Sequence, residues 1–236
     1  SNIFVEDNST EPGLTFNKLT VEKEDQSDRV YFSSPGRADE SIVVSMDNLL
    51  TLEKGILDYT DFVFQMQGDT IINKGSFGLD SSGGYVLLNG GNQQYLINSV
   101  IGDPTYGHLD IDNGNGAIMN GDANFGQFTL TTGIMDIGAY LMSVDTSLIN
   151  GSGFGDTKMI RTAGNSSDKG LQYNFSLSGD YSNDTIFYPV GTDDGGNELT
   201  PAYIIINGTG LNDSGSYSVT PVPEEHPSSD PSFGYE

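Results

Sequence analysis

The chain has 236 residues, of which 35% are hydrophobic and 31 are glycine, so it suits a thin, repetitive core interrupted by many turns. Nine Lys and Arg residues against 33 Asp and Glu residues give a net charge of −24, which excludes nucleic acid and anionic lipid surfaces as partners because their phosphates would be repelled. Cys and Trp are both absent, and a Cys-free, Gly-rich acidic chain is typical of a bacterial surface protein.

The N-terminal residues 1–13 predict an arm without a signal peptide, because SNIFVEDNSTEPG lacks a basic start and an apolar block. Apolar residues then alternate in LTFNKLTVEKED, which indicates a strand with one buried face. No apolar run in the sequence reaches the ~20 residues of a membrane-spanning helix. We therefore expect no membrane span.

Two segments of the chain echo each other. TLEKGILD at 51–58 and TLTTGIMD at 129–136 share the pattern T-L-x-x-G-I-x-D. Matching strand signals on either side predict two diverged copies, about 14–99 and 104–175, with 25–41 as an insertion in the first copy. The echo predicts equivalent inward positions for two residue pairs, namely Leu52 with Leu130 and Ile56 with Ile134.

The short strand signals, spaced ~8–12 residues apart, predict an all-β fold. VSMDNLLTLEKGIL has the length of a short helix, but Thr51, Gly55 and the second copy favour a strand. A β-solenoid, similar to a parallel β-helix, is favoured by the variable loops between similar strands and by the glycines that follow them. The alternative is a tandem pair of β-sandwiches.

The residues after 175 have no partner earlier in the chain. Strand signals at 185–188, 202–207 and 216–220 predict a small antiparallel β module over 176–222 that caps the last edge of the stack. The Pro- and Ser-rich segment 223–236 is interpreted as a tail or linker.

Six segments of the chain together resemble large secreted and cell-surface proteins of Bacteroidota that the type IX secretion system exports. They are FNKLTV, NLLTLEKGILD, GQFTLTTGIMDIG, TKMIRT, IFYPVGT and LTPAYIII. The resemblance implies a surface location, a β-solenoid followed by a small β domain, and membership of a longer polypeptide. It implies no catalytic residues.

A calcium site is the metal site that the sequence suggests best. LDIDNGNG at 109–116 offers hard oxygen ligands from Asp110, Asp112, Asn113 and Asn115. The competing interpretation places both aspartates on the solvent side of a strand that ends in an Asn-Gly turn. A second acidic loop, at 193–198, is interpreted in the same two ways.

No pattern in the sequence indicates an enzyme. Carboxylates are too numerous to single out a catalytic pair, and the few basic residues, such as Lys158, Arg161 and His108, are interpreted as surface residues. Aromatic residues fit either the core or a surface that stacks on sugar rings; the candidates are Tyr59, Phe62, Tyr85, Tyr95 and Tyr106.

These features predict a non-enzymatic extracellular segment of a bacterial adhesin or filament protein, acting as a rigid β spacer or a binding surface. Its partners would be an extracellular or cell-surface glycan or protein, or neighbouring domains of the same chain. The alternative function is a carbohydrate-binding or polysaccharide-degrading β-helix module. The sequence predicts no cofactor other than calcium.

Overall fold

A computed structural model describes residues 3–6, 14–33, 42–58, 62–78, 84–99, 104–145, 149–193 and 195–223. This part of the chain is all-β, as the sequence predicted. Within it, no helix has the length and apolar character needed to cross a membrane. The strands are β1 Ile3–Glu6, β2 Leu14–Glu22, β3 Arg29–Ser33, β4 Ile42–Lys54, β5 Ile56–Asp58, β6 Phe62–Met66, β7 Thr70–Asn73, β8 Ser76–Phe77, β9 Tyr85–Leu88, β10 Gln94–Asn98, β11 Thr105–Asp112, β12 Ala117–Asn120, β13 Ala123–Thr132, β14 Met135–Gly138, β15 Leu141–Asp145, β16 Ile160–Thr162, β17 Gly170–Tyr188, β18 Val190–Thr192, β19 Glu198–Leu199 and β20 Ala202–Val219.

The strands form a β-solenoid whose coils have three sides. Side 1 links β2, β4, β6, β9, β11 and β13 through parallel pairs. Side 2 links β2, β4, β7, β10, β12, β14, β16 and β18 in the same way. Side 3 links β1, β3, β5, β8, β11, β13, β15 and β17. Long strands such as β4 and β13 turn a corner and contribute to two sides.

Each coil lies almost directly over the previous one, so side chains one coil apart stack into columns. On side 1, Val44 pairs with Phe64, 20 residues later, and Phe64 pairs with Val86, 22 residues later. All three side chains are buried. Because alternation along each strand sends every second side chain inward on all three sides, one apolar core runs through the stack.

Aromatic residues fill the middle of this core on side 3. The rings of Phe77 and Tyr106 stack with centroids 5.4 Å apart, and those of Tyr106 and Phe125 with centroids 5.1 Å apart. Phe128 meets Phe125 edge to face at 5.4 Å. Parallel pairing in register places Phe77, Tyr106 and Phe125 at equivalent positions on successive coils, which is the reason that these three rings stack.

A long antiparallel ribbon closes the C-terminal end. β17 leaves side 3 after pairing with β15, and it pairs with β20 from Leu171 opposite Val219 to Tyr188 opposite Ala202. The chain between the two strands returns to side 2, where Val190 pairs with Ile160. The antiparallel module is therefore confirmed, although its first strand begins inside the stack rather than at the predicted boundary of 176.

Two segments that were predicted to lie outside the stack belong to it. Ile3–Glu6 of the predicted arm pairs with β3, and β3 itself lies within the predicted insertion 25–41. Both corrections have the same cause: side 3 of the first coils needs a strand, and these residues provide it. Residues 1–2 and 7–13 of the arm, 34–41 of the insertion and the tail from 224 lie outside the described residues.

The echoing segments do not occupy equivalent places in a coil. Leu52 and Leu130 are both buried, as predicted, but Leu52 pairs with Asn73 on side 2 and Leu130 pairs with Ile111 on side 1. Their equivalence is wrong because the alignment is shifted by one side of the coil. Ile56 is buried and Ile134 is half-buried, whereas the residues that follow them, Leu57 and Met135, are fully buried.

Alkaline pH should loosen the ribbon where it meets the stack. Burial raises the pKa of Tyr188 to about 12, and its hydroxyl donates to the Tyr217 carbonyl oxygen at 3.0 Å. An unfolded tyrosine titrates near pH ~10. The stabilisation is therefore complete below pH ~10 and is lost as the pH rises through 12. We expect urea unfolding midpoints to fall between pH 10 and 12, and to fall less steeply in Tyr188→Phe; identical slopes would contradict this.

Candidate functional site

The four predicted calcium ligands lie at one corner of the stack and divide between its inside and outside. Asp110 and Asp112 are on the outer face of β11, where Thr131 Oγ1 donates to Asp110 Oδ1 and Thr132 Oγ1 donates to Asp112 Oδ1, both at 2.9 Å. Burial, above all, raises the pKa of Asp110, and the neighbouring Asp112 charge adds to it. Among the described residues, no three His, Cys, Asp or Glu side chains come together as a metal site.

Asn113 is buried and forms part of a polar network inside the corner. Its Nδ2 donates to Gln94 Oε1 at 2.9 Å and to the Asn92 carbonyl oxygen at 2.7 Å. Gln94 Nε2 donates in turn to the carbonyl oxygens of Met66 and Gly68, at 2.6 and 2.7 Å. The Asn113 Oδ1 atom accepts from the Asn115 backbone N–H at 2.9 Å. The two side chains thus satisfy backbone groups of three coils where the chain turns.

Melting temperatures test the predicted calcium site. A chain with a charge of −24 repels itself, so we expect added salt to raise its melting temperature. A calcium site at Asp110 and Asp112 would add stabilisation by Ca²⁺ beyond Mg²⁺ at matched ionic strength, because Ca²⁺ accepts irregular oxygen cages. That excess should vanish in Asp112→Asn. Equal melting temperatures in the two ions would contradict the site.

The echo marks a strand, a sharp corner at glycine and the next strand. Gly55 joins β4 to β5 with φ +102°, and Gly133 joins β13 to β14 with φ +81°. A Cβ atom at Gly133 would lie 2.0 Å from the Asn113 carbonyl oxygen of the neighbouring coil. A glycine with positive φ therefore joins two strands at two different corners of the coil. This explains why the sequence pattern repeats although the positions are not equivalent.

The aspartate that ends each echo pairs with an arginine on the neighbouring coil. Asp58 Oδ2 lies 3.0 Å from Arg29 Nη1, and Asp136 Oδ2 lies 2.5 Å from Arg161 Nη2. Asp136 Oδ1 also accepts from the Gly138 N–H at 3.0 Å. Both carboxylates therefore tie coils together, in agreement with a structural role.

Removing these carboxylate charges should destabilise the fold only slightly. We expect Asp58→Asn and Asp136→Asn each to lower the free energy of unfolding by ~0.5–2 kcal/mol, since the amide keeps one acceptor oxygen but loses the ion pair. Urea unfolding and binding to intact cells would be measured for both variants. Unchanged binding is expected; loss of binding at unchanged stability would make the echo a ligand site.

A polar groove runs along the corner between sides 1 and 2. It encloses about 300 Å³ and is lined in part by Gln93, Asn115, Thr157 and Asn197 around the Asp136–Arg161 pair. Arg161 Nη1 also donates to Asn197 Oδ1 at 2.7 Å. Lys158 lies apart from this pair, with its Nζ 5.4 Å from the centre of the Phe154 ring. The groove holds one carboxylate, which is committed to an arginine.

A second groove runs along the corner between sides 2 and 3, on the opposite edge of side 2. It encloses about 310 Å³, and its polar lining includes Asn98, Asn120, Asp122, Tyr140 and Lys169. Tyr140 Oη donates to Asn120 Oδ1 at 2.9 Å, and Lys169 Nζ donates to Asp122 Oδ2. We call it the Tyr140 groove. Sequence reasoning missed it, although one signal was present: polar residues follow successive side-2 strands at the spacing of one coil.

The candidate aromatic residues divide between the core and the surface. Phe62 and Tyr106 are buried, whereas Tyr95 is 40% exposed on side 2. Tyr85 is half-buried on side 1, with its ring 5.2 Å from that of His108, whose Nε2 lies 3.1 Å from Thr129 Oγ1. Burial lowers the pKa of His108. Tyr59 lies outside the described residues, as does Asp194 of the second acidic loop.

No protein-family model matches the chain, and no curated protein or solved structure is significantly similar to it. The geometry of the stack and its two grooves is therefore the basis for inferring a function.

Proposed function

We propose that the chain is a non-enzymatic extracellular segment of a bacterial adhesin or filament protein, in which the solenoid is a rigid β spacer that carries a binding surface. The observation that supports this most is the continuous core, in which buried columns such as Val44, Phe64 and Val86 connect every coil to the next. Each coil is stabilised by its neighbours, so the stack resists bending as one body.

The outer surface supports the same proposal. Its carboxylates keep the chain soluble and repel other anionic surfaces, which suits a segment displayed in the medium. The ion pairs Arg29–Asp58 and Arg161–Asp136 connect strands on neighbouring coils and thereby brace the corners. None of these features requires a bound cofactor.

Labelling of intact cells tests the location and role. Antibodies raised against the chain should stain intact cells of the organism that makes it, and brief protease treatment of those cells should remove the signal. The purified chain should release no reducing sugar from polysaccharides. Staining that appears only after lysis would overturn the proposed location, and released sugar would favour the polysaccharide-degrading alternative.

A further inference from the structure

The Tyr140 groove extends across four successive coils. Asn98 ends the side-2 strand of the first coil, Asn120 and Asp122 lie on the next, and Tyr140 and Lys169 come after the side-2 strands of the third and fourth. Neighbouring coils are separated by ~4.8 Å, so the groove is roughly 14 Å long and parallel to the axis of the stack. Its shape suits a linear ligand rather than a compact one.

The side chains that line the groove are already held in place. Asp122 Oδ1 accepts from the Leu141 backbone N–H at 2.9 Å while its Oδ2 accepts from Lys169. Tyr140 is fixed by the hydrogen bond from its hydroxyl to Asn120. A ligand would therefore find a site that needs little ordering, which favours affinity.

Hydrogen-bonding capacity remains after these internal bonds. Within the described part of the chain, the Asn120 Nδ2 donors, the Tyr140 Oη lone pairs and further Lys169 ammonium hydrogens are left for a ligand. The groove therefore offers both donors and acceptors. This combination matches hydroxyl groups, which both donate and accept.

Apolar surface adjoins the polar groups. The Tyr140 side chain is 37% exposed, and Ile97, which pairs with Asn120 on the next coil, is also 37% exposed. Tyr95 lies on the same outer face of side 2 as Ile97. A surface with exposed rings beside planar polar groups suits a ligand whose faces are apolar and whose rim carries hydroxyls.

Charge restricts the ligand further. The overall charge of −24 repels anionic polymers, and among the described residues that line the groove the charged side chains, Lys169 and Asp122, are paired with each other. We propose that the Tyr140 groove binds a neutral oligosaccharide that lies along the stack, with its rings on Tyr140 and its hydroxyls on Asn120 and Lys169. This inference rests on the proposed extracellular role and names the ligand class.

Titration calorimetry with defined hexasaccharides tests the proposal. The probes are cellohexaose, xylohexaose and mannohexaose, with hexagalacturonate as the anionic comparison. We expect at least one neutral probe to bind and Tyr140→Ala to weaken it about tenfold. Tyr140→Phe, which keeps the ring, should weaken it less. Tyr203→Ala removes a ring that is 62% exposed on the C-terminal ribbon and should leave binding unchanged.

Three results would overturn the site: no binding of any neutral probe, preferred binding of hexagalacturonate, or equal losses in Tyr140→Ala and Tyr203→Ala. Circular dichroism of each variant confirms that the fold is intact. Labelling of intact cells does not depend on this groove, so failure of the glycan proposal would leave the proposed location standing.

Discussion

Replacing Phe125 with alanine is expected to lower the free energy of unfolding by ~3–5 kcal/mol. The Phe125 ring is fully buried, stacks on Tyr106 and meets Phe128 edge to face. Its loss would leave a cavity that the stacked coils can fill only by moving away from their hydrogen-bonded register. Urea unfolding followed by far-UV circular dichroism measures the change.

Two further substitutions distinguish the loss of the buried Phe125 ring from the loss of an aromatic ring in general. Phe125→Leu retains much of the volume and should cost clearly less than Phe125→Ala. Tyr95→Ala removes an exposed ring and should cost at most ~0.5 kcal/mol. A loss in Tyr95→Ala as large as in Phe125→Ala would contradict a core centred on the aromatic stack.

Replacing Gly133 with alanine should lower the free energy of unfolding by ~2–4 kcal/mol, nearly as much as Phe125→Ala. A left-handed φ of +81° disfavours any side chain, and the new Cβ would lie 2.0 Å from the Asn113 carbonyl oxygen. Backbone must move to relieve that contact, and Asn113 belongs to the buried polar network at the same corner. The melting temperature and urea midpoint should both fall.

Gly153→Ala is the matched control. Gly153 also has a positive φ, +69°, but a Cβ there would meet nothing within 4 Å. Only the backbone strain of ~1–2 kcal/mol should remain. Equal losses at the two positions would show that strain alone, and not the approach of neighbouring coils, makes glycine necessary at Gly133.

Alternation of apolar residues was sufficient to predict strands, and the variable loops and the glycines that follow the strands favoured a solenoid. The echo identified Leu52 and Leu130 as buried, and together with Thr51 and Gly55 it correctly rejected a helix for 44–57. These patterns could not tell which side of a coil a strand occupies, because all three sides use the same alternation and more than one corner uses glycine. For the same reason the predicted equivalence of Leu52 and Leu130 was wrong.

The surface sites could not be predicted in the same way. Asp122 and Lys169 are 47 residues apart in sequence and meet only because two coils of different length separate them. The Asn113 side chain is of a type that binds calcium, yet it faces inward and donates a hydrogen bond to Gln94. The polar side chains that meet at a corner are determined by the lengths of the coils. These lengths are not evident from the sequence, because the loops vary in size.

Distances between spin labels test the stacked solenoid most directly. Thr15, Ser45, Gln65, Leu87, Asp110, Thr129 and Asn150 form one outer column of side 1, each paired with the next. The absence of native cysteine allows labelled pairs at Gln65–Asn150, Ser45–Asn150 and Thr15–Asn150. Electron–electron double resonance should give distances near ~19, ~24 and ~29 Å, a rise of ~4.8 Å per coil. Distances that do not increase by this step from pair to pair would contradict the stack.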